Sequence, residues 1–114
     1  MLDVENRLSL VSIIIPCRNE KIYIGKCLDS IIAQDYPKDK MEILVVDGMS
    51  EDGSREIVKK LKMKNEKLKV RGIRLLDNPK KIVSSAMNIG IKEAKGDVII
   101  RALFVQERVS GLDM

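Results

Sequence analysis

The chain has 114 residues with 21 basic and 17 acidic side chains, a net charge of +4 and no histidine, a length that suits one domain burying roughly 65% of the surface its unfolded form exposes. The missing imidazole excludes Ser-His and Cys-His nucleophile pairs and His-ligated zinc, so carboxylates and backbone amides must do any chemistry. The basic excess gathers in Lys59, Lys60, Lys62, Lys64, Lys67, Lys69 and Arg71 without interleaved aromatics, the pattern of a solvated helix face and loop and not of a nucleic-acid surface.

Leu8 to Ile15 is an almost continuous apolar run ended by Pro16, as expected of a central strand buried on both faces. Ile24, Cys27, Leu28 and Ile31 then fall at helical spacing, with Asn19 available as N-cap and Asp35-Tyr36-Pro37 as the stop. Glu42 to Val46 predicts a second short strand ending at Asp47. Ser54 or Asp52 can cap the next helix, whose buried stripe is Ile57, Val58 and Leu61.

Val70 to Leu76 predicts a third strand, followed by the turn Asp77-Asn78-Pro79. Val83, Ala86, Met87, Gly90, Ile91 and Ala94 match one face of a third helix, Gly96 supplies its C-terminal cap, and Val98 to Ile100 starts a fourth strand. The order βαβαβαβ with short loops implies an α/β fold with a Rossmann-like, mostly parallel sheet joined by right-handed crossovers. Cys17 and Cys27 form neither a CxxC unit nor a secreted disulfide framework, and read as buried inert thiols of a cytoplasmic chain. No signal peptide opens the sequence, and no apolar run approaches the roughly 20 residues of a membrane span.

In an open parallel sheet, ligands bind beyond the carboxyl ends of the strands, where loop amides and helix N-termini converge. The first strand opens onto Arg18, Asn19 and Glu20, the second onto Asp47, Ser50 and Asp52, and the third onto Asp77 and Asn78. A carboxylate at Asp47 suits a ribose hydroxyl or a base N–H, neutral donors that it accepts from; as a plain turn residue it needs no ligand. Gly48 and Gly53 flank a turn open to positive φ or close ligand approach. Arg18 suits a diphosphate or a solvated loop, Asp52 and Ser54 suit helix capping, and Asn88 has an ambiguous position on the third helix.

Taken together, IIIPCRNE, ILVVDGMSEDGS, IRLLDNP and SSAMNIGIKEAKGDVII, in that order over residues 9 to 101, resemble the N-terminal half of the family 2 glycosyltransferases, the inverting GT-A group. The DGMSEDG variant is closest in pattern to succinoglycan-type enzymes of polysaccharide assembly. The resemblance implies that Pro16, Arg18 and Glu20 line a nucleotide pocket, that Asp47 contacts the uracil or ribose, and that Asp52 is the later acid of the same turn. Asn88 and Gly90 match the family's AxNxG segment beside the donor site; Ser50 and Asn78 complete the expected set. The implied cofactor is a nucleotide-sugar donor, UDP-linked, with Mg²⁺ or Mn²⁺ on a DxD motif, and the implied reaction is single-displacement sugar transfer to a polysaccharide or lipid-linked hydroxyl.

This chain departs from the family where the DxD aspartates belong, at about 103 and 105, since it carries Leu103-Phe104-Val105. The expectation is therefore a truncated GT-A domain over residues 1–101 with a non-matching tail over 102–114, holding a donor site but no catalytic residue. Full-length relatives are expected at the inner membrane face. A competing class is a nonenzymatic nucleotide-binding or dimerising assembly module, in which Leu103 to Val109 pairs with a second copy. A dinucleotide-binding dehydrogenase fails because the first strand leads into PCRNE instead of GxGxxG, and a P-loop is absent.

Overall fold

The computed structural model describes residues 8–65 and 72–102; the expected pairing segment 103–109 and the tail beyond it lie outside these. Strands β1 (Val11–Cys17), β2 (Met41–Asp47), β3 (Gly72–Asp77) and β4 (Val98–Arg101) alternate with helices α1 (Ile24–Ile32), α2 (Ser54–Asn65) and α3 (Val83–Glu93), and a short 3₁₀ turn at Lys38–Lys40 precedes β2. All strand pairs are parallel in the order β3-β2-β1-β4. This is the α/β, Rossmann-like sheet that the alternation of elements predicts.

The core follows from side-chain alternation along the strands. Val11, Ile13, Ile15 and Cys17 of β1, with Ile43 and Val45 of β2 and Ile73 of β3, pack with Ile24, Leu28, Ile31 and Ile32 of α1 and Val58 of α2. The intervening residues Ile14, Leu44 and Val46 turn to the other face and meet Ala86 of α3, with Met87 and Ile89 beside it. Two helices thus cover one face and a single helix covers the other. β2 is buried along its whole length, whereas β4 leaves Val98, Ile99 and Ile100 between 42% and 47% exposed.

Pro16 does not end β1 as expected; the strand runs on to Cys17. Ile14 bonds toward β4, accepting from Ala102 N, while Cys17 bonds toward β2, its carbonyl accepting from Gly48 N. Pro16 shares the parity of Ile14, and the β1–β4 register stops at Ile14 opposite Arg101, so its missing N–H falls where no ladder bond is made. Asn19 is likewise not the cap of α1. That helix begins after Tyr23, which makes no side-chain cap bond, and a turn closed by Tyr23 N and Ile24 N on the Glu20 carbonyl leads into it.

At the far end of the sheet a buried polar knot fixes β4. Ser12 Oγ donates to Glu42 Oε2 at 2.5 Å, Lys95 N donates to the same oxygen at 2.6 Å, and Gly96 N donates to Ser12 Oγ at 2.8 Å. Glu42 is 4% exposed, and these donors answer the cost of burying its carboxylate. Gly96 is thus not the helix cap, which is Ala94 in extended conformation. Its bare Cα instead lets the chain pass Ser12, where a Cβ would lie 2.5 Å from Oγ and 2.7 Å from the backbone nitrogen.

Gly90 carries the corresponding contact for α3, since a Cβ there would lie 2.6 Å from Ile14 Cγ2 and 2.9 Å from its Cδ1. Gly90→Ala is expected to destabilise the protein by about 1–3 kcal/mol, the cost of overpacking a filled core. Gly25→Ala, whose Cβ meets nothing nearer than 3.8 Å from Ile57, is expected to be neutral or stabilising by up to about 1 kcal/mol. Urea denaturation of the two variants checks both, and equal midpoints would refute the Ile14 contact.

Candidate functional site

Strand order reverses at β1, with β2 and β3 on one side and β4 on the other. The loops that leave β1 and β4 therefore part company and open a crevice at the carboxyl edge, the usual ligand position in such sheets. A cleft of about 240 Å³ lies there, walled by Pro16 and Cys17 at the end of β1 and Arg18 and Glu20 after it, by Asn78, Lys81 and Ile82 after β3, and by Arg101 at the end of β4 and Ala102 after it, with Ala86 of α3 among the residues behind it.

Behind this lining, the rim is organised from the end of β2. Asp47 is 1% exposed, and its Oδ2 accepts from Ser50 N at 2.8 Å and from Arg55 Nη1 at 2.9 Å, while Oδ1 accepts from Ser50 Oγ at 2.5 Å. Asp77 stands beside it in register at the end of β3, and Arg55 Nη2 donates to Asp77 Oδ1 at 2.6 Å. One guanidinium from the first turn of α2 thus holds both strand-end carboxylates apart from their mutual repulsion. Its pKa is raised further, first by the bond to Asp77 and then by that to Asp47.

The β1 and β2 loops are laced together by their backbones. Asn19 N donates to Ser50 Oγ (2.8 Å) and Glu51 N returns a bond to Asn19 Oδ1 (2.9 Å); Glu20 N donates to Ser54 Oγ (2.9 Å) and Lys21 N to Asp52 Oδ2 (3.0 Å). Positive φ at Asn19 (53°), Met49 (60°) and Gly53 (101°) permits these tight turns. Asp52 Oδ1 also accepts from Ser54 N at 3.0 Å and Ser54 Oγ at 2.6 Å, which caps α2. Arg18 spans the seam, its Nη1 donating to the carbonyl of Gly48 and, at 3.5 Å, to that of Met49.

The third loop closes on the same rim. Asn78 N donates to the Asp47 carbonyl at 2.8 Å, and the Asn78 side chain, 2% exposed, donates from Nδ2 to Ile82 O (2.9 Å) and accepts from Ser85 Oγ (2.7 Å), so it shapes the entry to α3. Cys17 faces the cleft as a thiol, its pKa pushed up to about 12 by burial first and by neighbouring Asp47 second. At ordinary pH it is an inert, protonated wall atom.

Of the residues singled out from sequence, Pro16, Arg18, Glu20 and Asn78 are brought together on the cleft. Asp47, Ser50 and Asp52 are not on the cleft lining, their oxygens being bonded within the loops behind it, and Asn88 is exposed on α3 away from the lining. Sequence reasoning missed Lys81, Arg101 and the Arg55 clamp. Lys81 and Arg101 had a signal, since one follows the Asn78-Pro79 turn and the other ends an apolar strand, both carboxyl-edge positions. Arg55 had none, because nothing local marks its two partners.

A parallel sheet with a cleft at its switch point defines a Rossmann-like α/β domain. The match of residues 12–102 to the model of Glycosyl transferase family 2 identifies the chain as a member of that family. It is similar to a dolichyl N-acetyl-α-D-glucosaminyl phosphate 3-β-D-2,3-diacetamido-2,3-dideoxy-β-D-glucuronosyltransferase of Methanococcus voltae, at 42% identity over 93 residues, 82% of this chain and 28% of the relative. Among solved structures it resembles the mannosyltransferase PcManGT of Pyrobaculum calidifontis in complex with GDP-Man and Mn²⁺, with a TM-score of 0.74 and 30% identity over 83% of this chain and 27% of the other. It also resembles Staphylococcus aureus TarS 1-349 in complex with UDP-GlcNAc, with a TM-score of 0.68 and 27% identity over 82% and 26%. The chain thus spans under a third of each protein it matches here.

Arg55→Ala strips a buried carboxylate of its counter-charge and is expected to cost about 2–3 kcal/mol, somewhat under a fully buried pair because the guanidinium is partly solvated. Asp77→Ala, removing a carboxylate that is 57% exposed, is expected to cost under about 1 kcal/mol. Thermal or urea unfolding measures both, and equal losses would refute the assignment of Asp47 as the partner that matters.

Asp52 has a second, pH-dependent consequence. Its pKa is lowered, chiefly by the Ser54 hydroxyl and then by the Ser54 and Lys21 amides, so the folded loop favours the ionised form. The lacing is expected to be complete above the ordinary carboxylate range and to fail as pH falls below about 4. Amide shifts of Lys21 and Ser54 followed by NMR should move together on acidification, and Asp52→Asn should abolish the transition.

Proposed function

We propose that the chain forms the donor-nucleotide half of a sugar transferase, taking a nucleoside diphosphate sugar, UDP-linked, in the cleft between the β1 loop, the β3–α3 turn and the end of β4. The observation that carries this reading is the cleft itself, a groove of about 240 Å³ at the point where strand order reverses, with Arg18, Lys81 and Arg101 on its walls. Cations at such a site suit a diphosphate, and the buried Ala86 and partly buried Pro16 give a sugar or base an apolar surface. Support comes from the solved neighbours, whose ligands are GDP-Man and UDP-GlcNAc.

In this reading Pro16, Arg18 and Glu20 face the donor, while Asp47, Ser50, Asp52 and Asn78 hold the rim in the shape the donor meets. The acceptor class is a polysaccharide or lipid-linked sugar, supported by the dolichyl phosphate in the name of the Methanococcus relative. Leu103 and Val105 stand where the family carries its metal-binding aspartates, so these 114 residues by themselves bind donor without transferring sugar. No helix among the described residues is long and apolar enough to cross a membrane.

Isothermal titration of UDP, GDP and ADP into the full chain tests the reading. UDP is expected to bind, with Arg18→Ala weakening it by about 1–3 kcal/mol through the loss of a charge-assisted contact. Equal or absent binding of all three nucleotides would overturn the assignment of donor.

A further inference from the structure

Three side chains with permanent or near-permanent positive charge meet at the cleft, and one carboxylate, Glu20, accompanies them on its lining. Asp47 and Asp77 pair with Arg55, and Glu93 with Arg74, so these carboxylates are committed away from Arg18, Lys81 and Arg101. No group of three or more acidic, cysteine or histidine side chains placed to hold a metal occurs among the described residues. The donor set at this site therefore does not fit a divalent cation. Its chemistry is that of an anion receptor.

The geometry holds the segments that carry two of these cations close. Gly48 lies between two of them, and a Cβ added there would stand 3.2 Å from Lys81 Cα and 3.4 Å from Arg18 Cβ and Cδ. The hydrogen on its Cα is what lets the β1 loop and the β3–α3 turn close on one another. Lys81 takes φ +66°, a left-handed conformation that a lysine rarely adopts, and its amide is tied to the Asn78 carbonyl at 3.0 Å. Strain of this kind persists where the surroundings hold it, and it is concentrated at ligand clamps. Arg101 arrives from the opposite wall on the last residue of β4, opposite Ile14 of β1.

We infer that Arg18, Lys81 and Arg101 bind the diphosphate of the nucleotide directly, without a bridging metal ion, the guanidinium and ammonium groups supplying the charge that a divalent cation supplies elsewhere. This rests on the donor reading above and goes beyond it by fixing how the ligand's negative charge is met. Arginine and lysine clamps and bound magnesium are alternative solutions to the same electrostatic demand. Arginine adds planar, bidentate donation to phosphate oxygens, which a sphere of charge does not.

Calorimetric titration of UDP into the full chain in EDTA, and again with Mn²⁺, decides the matter. The expected dissociation constants agree within about threefold, since the described lining offers the ion a single carboxylate, Glu20. Lys81→Gln and Arg101→Gln should each weaken UDP by about fivefold to tenfold, the loss of one charge-assisted contact, and leave uridine unchanged. Circular dichroism confirms folding of each variant, and Arg101→Lys, which keeps the charge, should retain most of the affinity. UDP binding that requires Mn²⁺, or Gln variants that lose uridine and UDP alike, would overturn the inference and leave the donor reading standing. Failure of every nucleotide to bind in either buffer would overturn both.

Discussion

A carboxylate with almost no access to water sits at the end of β2, and the rim of the sheet is organised around neutralising it. Asp47 receives two bonds from Ser50 and one from Arg55. Satisfying it draws the β2 loop back over the strand end, and reaching it from α2 fixes the first turn of that helix. The adjacent Asp77 would repel it across the ladder, and the same guanidinium removes that cost. Burial of a charge without such partners is too expensive for a domain of ordinary stability.

From this clamp the remaining rim follows by contact. The Asp47 carbonyl accepts from Asn78 and so brings the β3–α3 turn alongside, while Ser50, Asp52 and Ser54 offer oxygens to consecutive amides of the β1 loop. The outcome is a separation of charge by depth. Asp47 is consumed inside the rim, whereas Arg18, Lys81 and Arg101, with Glu20 beside them, line the cleft.

Much of the architecture was legible because hydrophobic periodicity is local. The continuous apolar runs of β1 and β2 mark strands buried on both faces, and the spacing of Ala86 and Gly90 marks the side of α3 that meets the sheet. On that helix Val83 and Ile91 fit the same pattern yet lie exposed, at 48% and 50%, because one helix over one face leaves its flanks uncovered. Asn19 was read as a cap and proves to be a cross-loop tie, and Gly96 was read as a cap and proves to be a point of close approach to Ser12. Both errors have one source: residues thirty or more positions apart compete for a group that sequence assigns to its neighbours. The site shows the same division. Arg18 and Glu20 are expected at the carboxyl edge from their strand-end position and on a pocket from the family resemblance, whereas the pairing of Arg55 with Asp47 and Asp77 exists only once two strands stand side by side.

Pro16 gives the working edge a permanence that packing by itself would not. Its ring occupies the one place on that flank of β1 where an elongated β4 would look for an amide hydrogen, so a lengthened ladder would zip shut at a loss. An imino acid acts here as a doorstop, and the aperture between β1 and the edge strand β4 stays ajar by covalent chemistry before any ligand arrives.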